Sequence, residues 1–364
     1  MLSLLISIGL SLATMLCGVS EATLLFAGDA MMHQGQIDAA RQPDGTYDFS
    51  ECFIEVAPII QKADYAIVNL ETPLGGAPYS GYPCFCAPDS YADALAAAGF
   101  DLMLNANNHT LDRRDKGLKR TIAQLDSRGI THIGTYIDAT ARDSLSPLVV
   151  DVKGFKIGML NYTYGTNGIK VKSDAVVDYI DREKMRHDIA EARNKGAEII
   201  MVAVHWGNEY QLLPHSSQKS LADFLYRQGV DLIIGGHPHV IQPMEMRHDS
   251  VSGRSALVVY SLGNFISNMK TRDTRGGALV QTTLRRDSSG RAYVANGSYR
   301  LVFTRPGQPR KCNFTLYPAE RFDDPQWKSH CQAFEQAAEA IFKRHNINMS
   351  RDTTHIINKI EVIR

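Results

Sequence analysis

Short apolar runs, each closed by a cluster of polar residues, recur along the chain. Thr23–Ala27 leads into Gly28-Asp29, Tyr65–Val68 into Asn69-Leu70-Glu71, and Leu102–Leu104 into Asn105-Ala106-Asn107-Asn108-His109. Glu198–Val204 leads into His205-Trp206-Gly207, and the run beginning at Leu232 passes through two glycines into His237-Pro238-His239. Runs this short, bounded by turn formers, read as buried strands. Between them the apolar period lengthens to that of a helix over Phe49–Lys62, Ser90–Ala98, Asp115–Arg128, Asp181–Lys195 and Ser216–Gln228. Gly99, Gly129, Gly196 and Gly229 close the last four, as a residue that tolerates a left-handed C-cap would. Strand, helix, strand is the repeating unit, which predicts an α/β protein with mostly parallel sheet. Leu148–Val152 and Phe155–Asn161, joined by a Lys-Gly turn, read as a hairpin crossing the middle of the domain. Leu257–Tyr260 is a further strand ending in the tight turn Ser261–Phe265. Ala278–Arg286 and Ala292–Phe303 alternate as antiparallel strands, and Pro325–Arg344 reads as a terminal helix on the outside. No internal repeat, low-complexity tract or linker interrupts this order, so one domain with a C-terminal elaboration is expected.

Composition changes the picture in three places. Lys plus Arg and Asp plus Glu both number 39, a formal net charge of zero, which counts against nucleic acid as a partner. Leu2–Val19 is apolar with Ser and Gly, and the small residues Gly18–Ala22 precede the first strand. Residues 1–22 therefore read as a signal peptide or an N-terminal anchor, although no basic residue precedes the apolar core. The run is short for a membrane span of ~20 residues, which favours cleavage and export to the periplasm or cell envelope. Thr14-Met15-Leu16 before Cys17 is a poor lipidation signal. Cleavage would leave Cys52, Cys84, Cys86, Cys312 and Cys331, an odd set without the spacing of a disulfide framework. Cys84-Phe85-Cys86 belongs to the Pro/Gly/Tyr-rich loop Pro73–Pro88, where one bridge is expected in an oxidising compartment.

The candidate chemistry sits at the strand ends. Pro238 fixes its own φ and biases His237 away from helix, so two imidazoles leave a stiff turn at a strand's carboxyl end. Open α/β sheets bind ligands at that end, and neutral imidazole is the commonest ligand for zinc, iron and similar ions. A lone His-x-His is equally a solvated turn. Five strand ends offering Asp, Glu, Asn, His and His-x-His are harder to assign to chance. Trp206, Glu209 and Tyr210 follow His205 and line a substrate cleft, or Trp206 caps the core. Asn264 and Ser261 bind substrate or satisfy their own turn. Ser216-x-x-Lys219 is explained by Ser216 as an N-cap. His132, His187, His215 and His248 fall on polar or helical surfaces and are expected to be solvated.

In order, Phe26-Ala27-Gly28-Asp29, Asn69-Leu70-Glu71-Thr72-Pro73, Asn107-Asn108-His109-x-x-Asp112 with Gly117, His205-Trp206-Gly207-Asn208-Glu209-Tyr210, Gly236-His237-Pro238-His239-Val240-x-Gln242-Pro243 and Tyr260–Phe265 form a set. With it the chain resembles the capsule-synthesis CapA family, associated with poly-γ-glutamate, a branch of the calcineurin-like metallophosphoesterase superfamily. The resemblance covers roughly Thr23 to Phe265, and no motif covers the chain from about Lys270 on. It implies a four-layer α/β/β/α metallophosphoesterase-like sandwich over residues 23–270, with 271–364 as a β-rich and helical C-terminal elaboration packed on the same domain. It further implies a site for one or two divalent ions, with Asp29 and His239 on one and Asn108, His205 and His237 on the other. Glu71 takes the place of the bridging carboxylate. His109 becomes the proton donor to the leaving group, oriented by Asp112. Mixed imidazole, carboxylate and amide ligands suit Mn, Fe or Zn, and paired ions can generate hydroxide near neutral pH.

Two departures from the superfamily pattern stand out. Met31 occupies the position where a histidine is expected two residues after the first aspartate, and the balance is against His33, two residues further, as a substitute. Glu71 is longer than the usual bridging aspartate. Three functions therefore compete: an exported metal-dependent hydrolase of small phosphoesters or γ-glutamyl amides, a non-catalytic capsule-assembly component that binds an anionic polymer or membrane capsule-synthesis proteins, and a plain cytoplasmic phosphatase, which the N-terminus disfavours.

Overall fold

Strands that are apolar on both faces need cover on both sides, and the chain supplies it with two stacked sheets and helices outside each. The computed structural model describes residues 21–352 and Thr354. The N-terminal run on which export was expected lies outside the described residues. The first part comprises β1 (Glu21–Ala30), α1 (Gln34–Ala40), α2 (Ala57–Ile60), β2 (Tyr65–Leu70), α3 (Ser90–Ala97), β3 (Leu102–Leu104) and α4 (Arg114–Ser127). Then come β4 (Thr131–Ile133), β5 (Thr135–Tyr136), α5 (Ala139–Leu145), the expected hairpin β6 (Leu148–Val152) and β7 (Phe155–Thr163), and β8 (Val176–Val177). The next units are α6 (Arg182–Asn194), β9 (Ile199–His205), α7 (Ser216–Arg227), β10 (Leu232–Gly236), β11 (Met244–Asp249), β12 (Arg254–Val259) and β13 (Asn264–Ile266). The chain closes with β14 (Gly276–Arg286), β15 (Ala292–Arg305), β16 (Thr315–Pro318), α8 (Lys328–His345) and β17 (Ser350–Arg351).

One sheet has nine strands, in the order β16-β15-β14-β1-β2-β3-β4 with β13 beside β1 and β17 beside β15; the other has six, β11-β12-β10-β9-β7-β6. The site-bearing strands β1, β2 and β3 are mutually parallel, as are β7, β9, β10 and β12. Parallel pairing places their carboxyl ends along common edges. The antiparallel strands lie outside: β14 runs along β1 from Glu21↔Arg285 to Phe26↔Val280, so the chain beyond Lys270 continues the same sheet.

The period of two along β1 decides the layers. Leu24 and Phe26 enter the core between the sheets with Met201, Ala203 and Ile234. Leu25 and Ala27 turn the other way, with Val68 and Met103, onto Ile37, Ile60 and Leu95 of α1, α2 and α3. On the far face Val202, Val204 and Ile233 pack on Met185 and Ile189 of α6 and Leu221 and Leu225 of α7. The result is the expected α/β/β/α order.

Several local expectations need correction. Phe49–Lys62 is a 3₁₀ turn at Ser50–Cys52 followed by the four-residue α2, because Pro58, lacking an N–H, can stand only near a helix start. Its apolar residues Phe49, Phe53, Val56 and Ile60 are nonetheless buried. Helix α8 packs on the outside as expected, and Cys331, Phe334, Ala338 and Phe342 form the one stripe it turns to the inter-sheet core. Ser216 is not the cap of α7. His215 takes that role, its Nδ1 accepting from the Ser217 N–H at 3.3 Å. His132 is largely covered rather than solvated, with Nε2 3.1 Å from Asp126 Oδ1. All five described cysteines are free, so the expected bridge does not form, and Cys86 Sγ instead donates to Gly76 O at 3.2 Å.

A buried cluster of carboxylates, imidazoles and amides at the strand ends

The pairing of β1 with β2 slips between Ala27 and Asp29. Gly28 sits in the slip, where a Cβ would lie 2.0 Å from Gly263 O, so only glycine lets the end of β1 press against the turn after β12. Asp29 is thereby delivered fully buried. Its Oδ1 accepts from Asn69 Nδ2 at 2.8 Å, and its Oδ2 accepts from the His237 N–H at 3.2 Å and lies 3.2 Å from His239 Nδ1. The turn carrying both histidines differs from the extended form expected of a residue before proline. His237 has φ +101° and His239 φ +57°, left-handed backbone on either side of Pro238. Such residues cost about 1–3 kcal/mol each and persist where the surroundings over-determine them. Here the His237 N–H is held by Asp29, and Pro238 O accepts from the Tyr210 N–H at 2.9 Å.

Glu71, fully buried just beyond β2, is the hub. Its Oε2 accepts from Asn69 Nδ2 at 3.3 Å, while Oε1 lies 3.5 Å from His205 Nε2 and 3.7 Å from His239 Nε2. His205 Nε2 is 2.8 Å from Asn108 Oδ1, and Asn108 Nδ2 donates to Asn167 Oδ1 at 3.3 Å. The ligand-type atoms of Glu71, His205 and His237 lie within 4.8 Å of one another, and so do those of Asp29, Glu71 and His239. Both groups share Glu71. Glu71 Oε1 and His237 Nδ1 are buried without a hydrogen-bond partner. Buried polar atoms in that state are expensive. A divalent cation is the group that satisfies an orphaned carboxylate oxygen beside an orphaned imidazole nitrogen, so the residues present fit a metal.

The electrostatics agree with that fit. Burial would raise the Asp29 carboxyl, but the hydrogen bond and charge of His239 and the charge of His205 outweigh it and hold the group well below the usual carboxylate range. Burial, then the charge of Asp29, pushes Glu71 well above that range. Burial and the neighbouring His237 carry His205 well below the usual imidazole value, and burial with His239 brings His237 down to about 3. These rings are therefore neutral at physiological pH, the form that binds metal.

Beside the cluster, His109 Nδ1 lies 2.7 Å from Asp112 Oδ2, which also accepts from the Phe85 N–H at 2.7 Å. The Phe85 ring packs edge-on against His109 at 4.5 Å. Sequence reasoning thus placed Asp29, Glu71, Asn108, His205, His237 and His239 as ligands and His109 with Asp112 as a pair, and the fold brings all eight to one region. Among the candidate substrate residues, Glu209 is exposed and forms a further ligand-type group with His237 and His239. Tyr210 is 54% exposed, with its ring 6.4 Å from that of His239. Asn264 is buried and turned inward: Oδ1 lies 3.1 Å from His239 Nδ1 and Nδ2 donates to Thr274 O at 2.9 Å, so it positions His239 instead of meeting substrate. Trp206 must be corrected. Its indole is 2% exposed, stacks on Tyr260 and donates to Tyr260 O at 2.8 Å, which makes it part of the core.

Met31 is buried, and His33 belongs to no ligand-type group among the described residues. Its Nδ1 stands 3.3 Å from Gln36 Oε1 and from the Asn268 backbone N, at the start of α1. Reasoning from sequence missed Asn69, which touches Asp29, Glu71 and His205, and Asn107, which braces it through Asn69 Oδ1 at 3.2 Å and Leu70 O at 2.9 Å. Both lie inside the quoted strand-end motifs, and that position was the available signal. Tyr164, with its ring 4.6 Å from that of His237, had no such signal.

A two-sheet sandwich with helices outside both sheets, carrying a carboxylate-imidazole cluster at the shared strand ends, is a phosphoesterase-like fold. The same fold appears in the NAD nucleotidase of Haemophilus influenzae, with a TM-score of 0.50 at 12% identity, covering 93% of this chain and 65% of that one. Residues 23–269 match the family described as bacterial capsule synthesis protein PGA_cap, and the chain belongs to that family. It is 30% identical over 279 residues to the PGA biosynthesis protein CapA of Bacillus subtilis, covering 74% of this chain and 69% of that protein. It is 27% identical over 276 residues to the capsule biosynthesis protein CapA of Bacillus anthracis, covering 73% and 64%.

Proposed function

We propose that this capsule-synthesis protein is an exported metal-dependent hydrolase, acting on a phosphoester or a γ-glutamyl amide of the capsule polymer or its precursors. The observation that carries the reading is the pair of orphaned buried atoms, Glu71 Oε1 and His237 Nδ1, in a ring of neutral imidazoles beside His109 and Asp112. Asp29 and His239 would hold one ion and Asn108, His205 and His237 a second, with Glu71 common to both. The mixed donors suit Mn, Fe or Zn. When bound, the ions supply Lewis-acid polarisation of the reacting group and hydroxide near neutral pH. The protein's own side chains do the rest. Asp112 accepts a hydrogen bond from His109 Nδ1–H, which fixes the ring and leaves the Nε2–H proton for the leaving group. Asn69 holds Asp29 and Glu71 together, and Asn264 fixes the His239 ring. Buried Met31 in place of the superfamily histidine favours a second reading, a protein that retains one ion and binds an anionic polymer for membrane capsule-synthesis partners.

Elemental analysis and turnover separate the two. Protein loaded with Mn, Fe or Zn is expected to cleave aryl phosphates or γ-linked glutamate peptides, and His109→Ala to cut turnover by about 10²–10⁴ with metal content intact. Metal-replete protein that is inert on both substrates yet binds polyglutamate would establish the assembly role instead.

A further inference from the structure

Next to the cluster, a cleft of about 640 Å³ opens between the start of α4 and the segment 167–172. Residues 169–172 read Ile-Lys-Val-Lys, and this alternation shapes the wall. Ile169 and Val171 pack against a small core of Leu111, Leu118 and Ile122, leaving Lys170 and Lys172 exposed on the opposite side. The Lys172 N–H donates to Asp115 Oδ2 at 2.8 Å and ties the segment to α4. Arg114, Lys116, Lys170 and Lys172 therefore line one cleft, and none has an ion-pair partner among the described residues. Neighbouring Lys119, by contrast, is paired with Asp174. Asp115 also lines the cleft, so four cations face one carboxylate, and the surplus of positive charge on this concave surface favours an entering anion.

A hydrogen bond links the cluster to the cleft. Asn167 lines it and accepts, through Oδ1, from Asn108 Nδ2 at 3.3 Å, while Asn108 Oδ1 is 2.8 Å from His205 Nε2. Tyr164, 47% exposed, lies beside this path with its ring against His237. We infer that the cleft is a subsite for successive carboxylates of an acidic polymer whose reacting bond lies at the strand-end cluster. Three of the four cations are flexible lysines, separate point charges that suit carboxylates spaced along a mobile chain, and Arg114 adds a single planar fork beside them. The position of the reacting bond rests on the hydrolase reading; the capture of the polymer does not.

The test uses the full chain and a fluorescent γ-linked oligoglutamate, titrated with and without a chelator, alongside turnover of an aryl phosphate too small to reach the cleft. Lys116→Glu with Lys170→Glu should weaken oligomer binding about tenfold and flatten its salt dependence. The milder Lys116→Gln with Lys170→Gln should show a smaller loss, and aryl phosphate turnover should stay at the wild-type level. Reversing Lys343 and Arg344, exposed on α8, should leave oligomer binding unchanged. Wild-type protein that fails to bind the oligomer, cleft variants that bind like wild type, or an equal loss from the α8 reversal would each overturn the subsite. None of these outcomes bears on hydrolysis. Conversely, cleft-dependent binding by a protein inert on every small substrate would sink the hydrolase and keep the subsite.

Discussion

Replacing Glu71 by Gln tests the proposed metal site through stability, independently of any substrate. Glu71 is fully buried, Oε1 has no hydrogen-bond partner, and burial and then Asp29 raise its pKa. In metal-free protein the carboxylate is thus a liability worth about 1–3 kcal/mol, the usual cost of an unsatisfied buried group. An amide of the same shape removes the charge and can donate to Asp29. Unfolding entropy of about 2.1 cal/mol/K per residue over a chain this long makes 1 kcal/mol roughly 1.3 °C. Glu71→Gln should therefore raise the Tm of chelator-treated protein by about 1–4 °C at pH 7–8. The sign of the pH dependence follows from the raised pKa. As pH climbs above about 4.3 the unfolded carboxyl loses its proton while the native one keeps it, so wild type loses stability until pH passes the native value. The advantage of the variant should accordingly grow with pH and vanish in acid. Metal should reverse the order, since a ligand at 100 times its Kd adds about 2.7 kcal/mol to wild type and less to a variant lacking the shared carboxylate. Differential scanning calorimetry with EDTA, and then with Mn or Zn, reads both effects. A metal-free variant less stable than wild type, or equal gains from metal in both, would refute the reasoning.

Three further outcomes are expected. His109→Ala should cut turnover by about 10²–10⁴ and Asp112→Asn by less, with metal content by elemental analysis unchanged. Arg142→Ala should destabilise by about 3–5 kcal/mol in denaturant titration, because the guanidinium hydrogen-bonds the buried Asp178 and Asp188, both of which would lose it. Gly28→Ala puts a methyl 2.0 Å from a backbone oxygen, so it should lower both Tm and bound metal, whereas Gly45→Ala, in open space but at φ +88°, should cost only about 1 kcal/mol and no metal.

The strand ends were readable in the linear chain because a buried parallel strand must be continuously apolar, so the first polar residue after it marks the place where the backbone leaves the core. That principle marked the strand ends carrying Asp29, Glu71, Asn108, His205, His237 and His239, whereas their choice as ligands and the layer order came from the family likeness. Other features depended on neighbours distant in sequence. The left-handed backbone of His237 and His239 opposes the local bias set by Pro238 and is held by Asp29 and Tyr210, neither of them near in the chain. Trp206 and Glu209 stand three residues apart in one motif, yet one is core and the other cleft, because the chain turns between them at Gly207 with φ +86°. Helix α8 carries a stripe that local pattern alone assigns to some apolar surface; only the open end of the sandwich specifies which. The basic cleft had no signature either, since Lys116 and Lys170 are ordinary surface residues until the small core around Leu118 draws their segments together. Local pattern reports how each segment divides between oil and water, whereas the pairing of segments is a choice among many apolar faces of nearly equal attraction, and it is made by the packing of the whole chain.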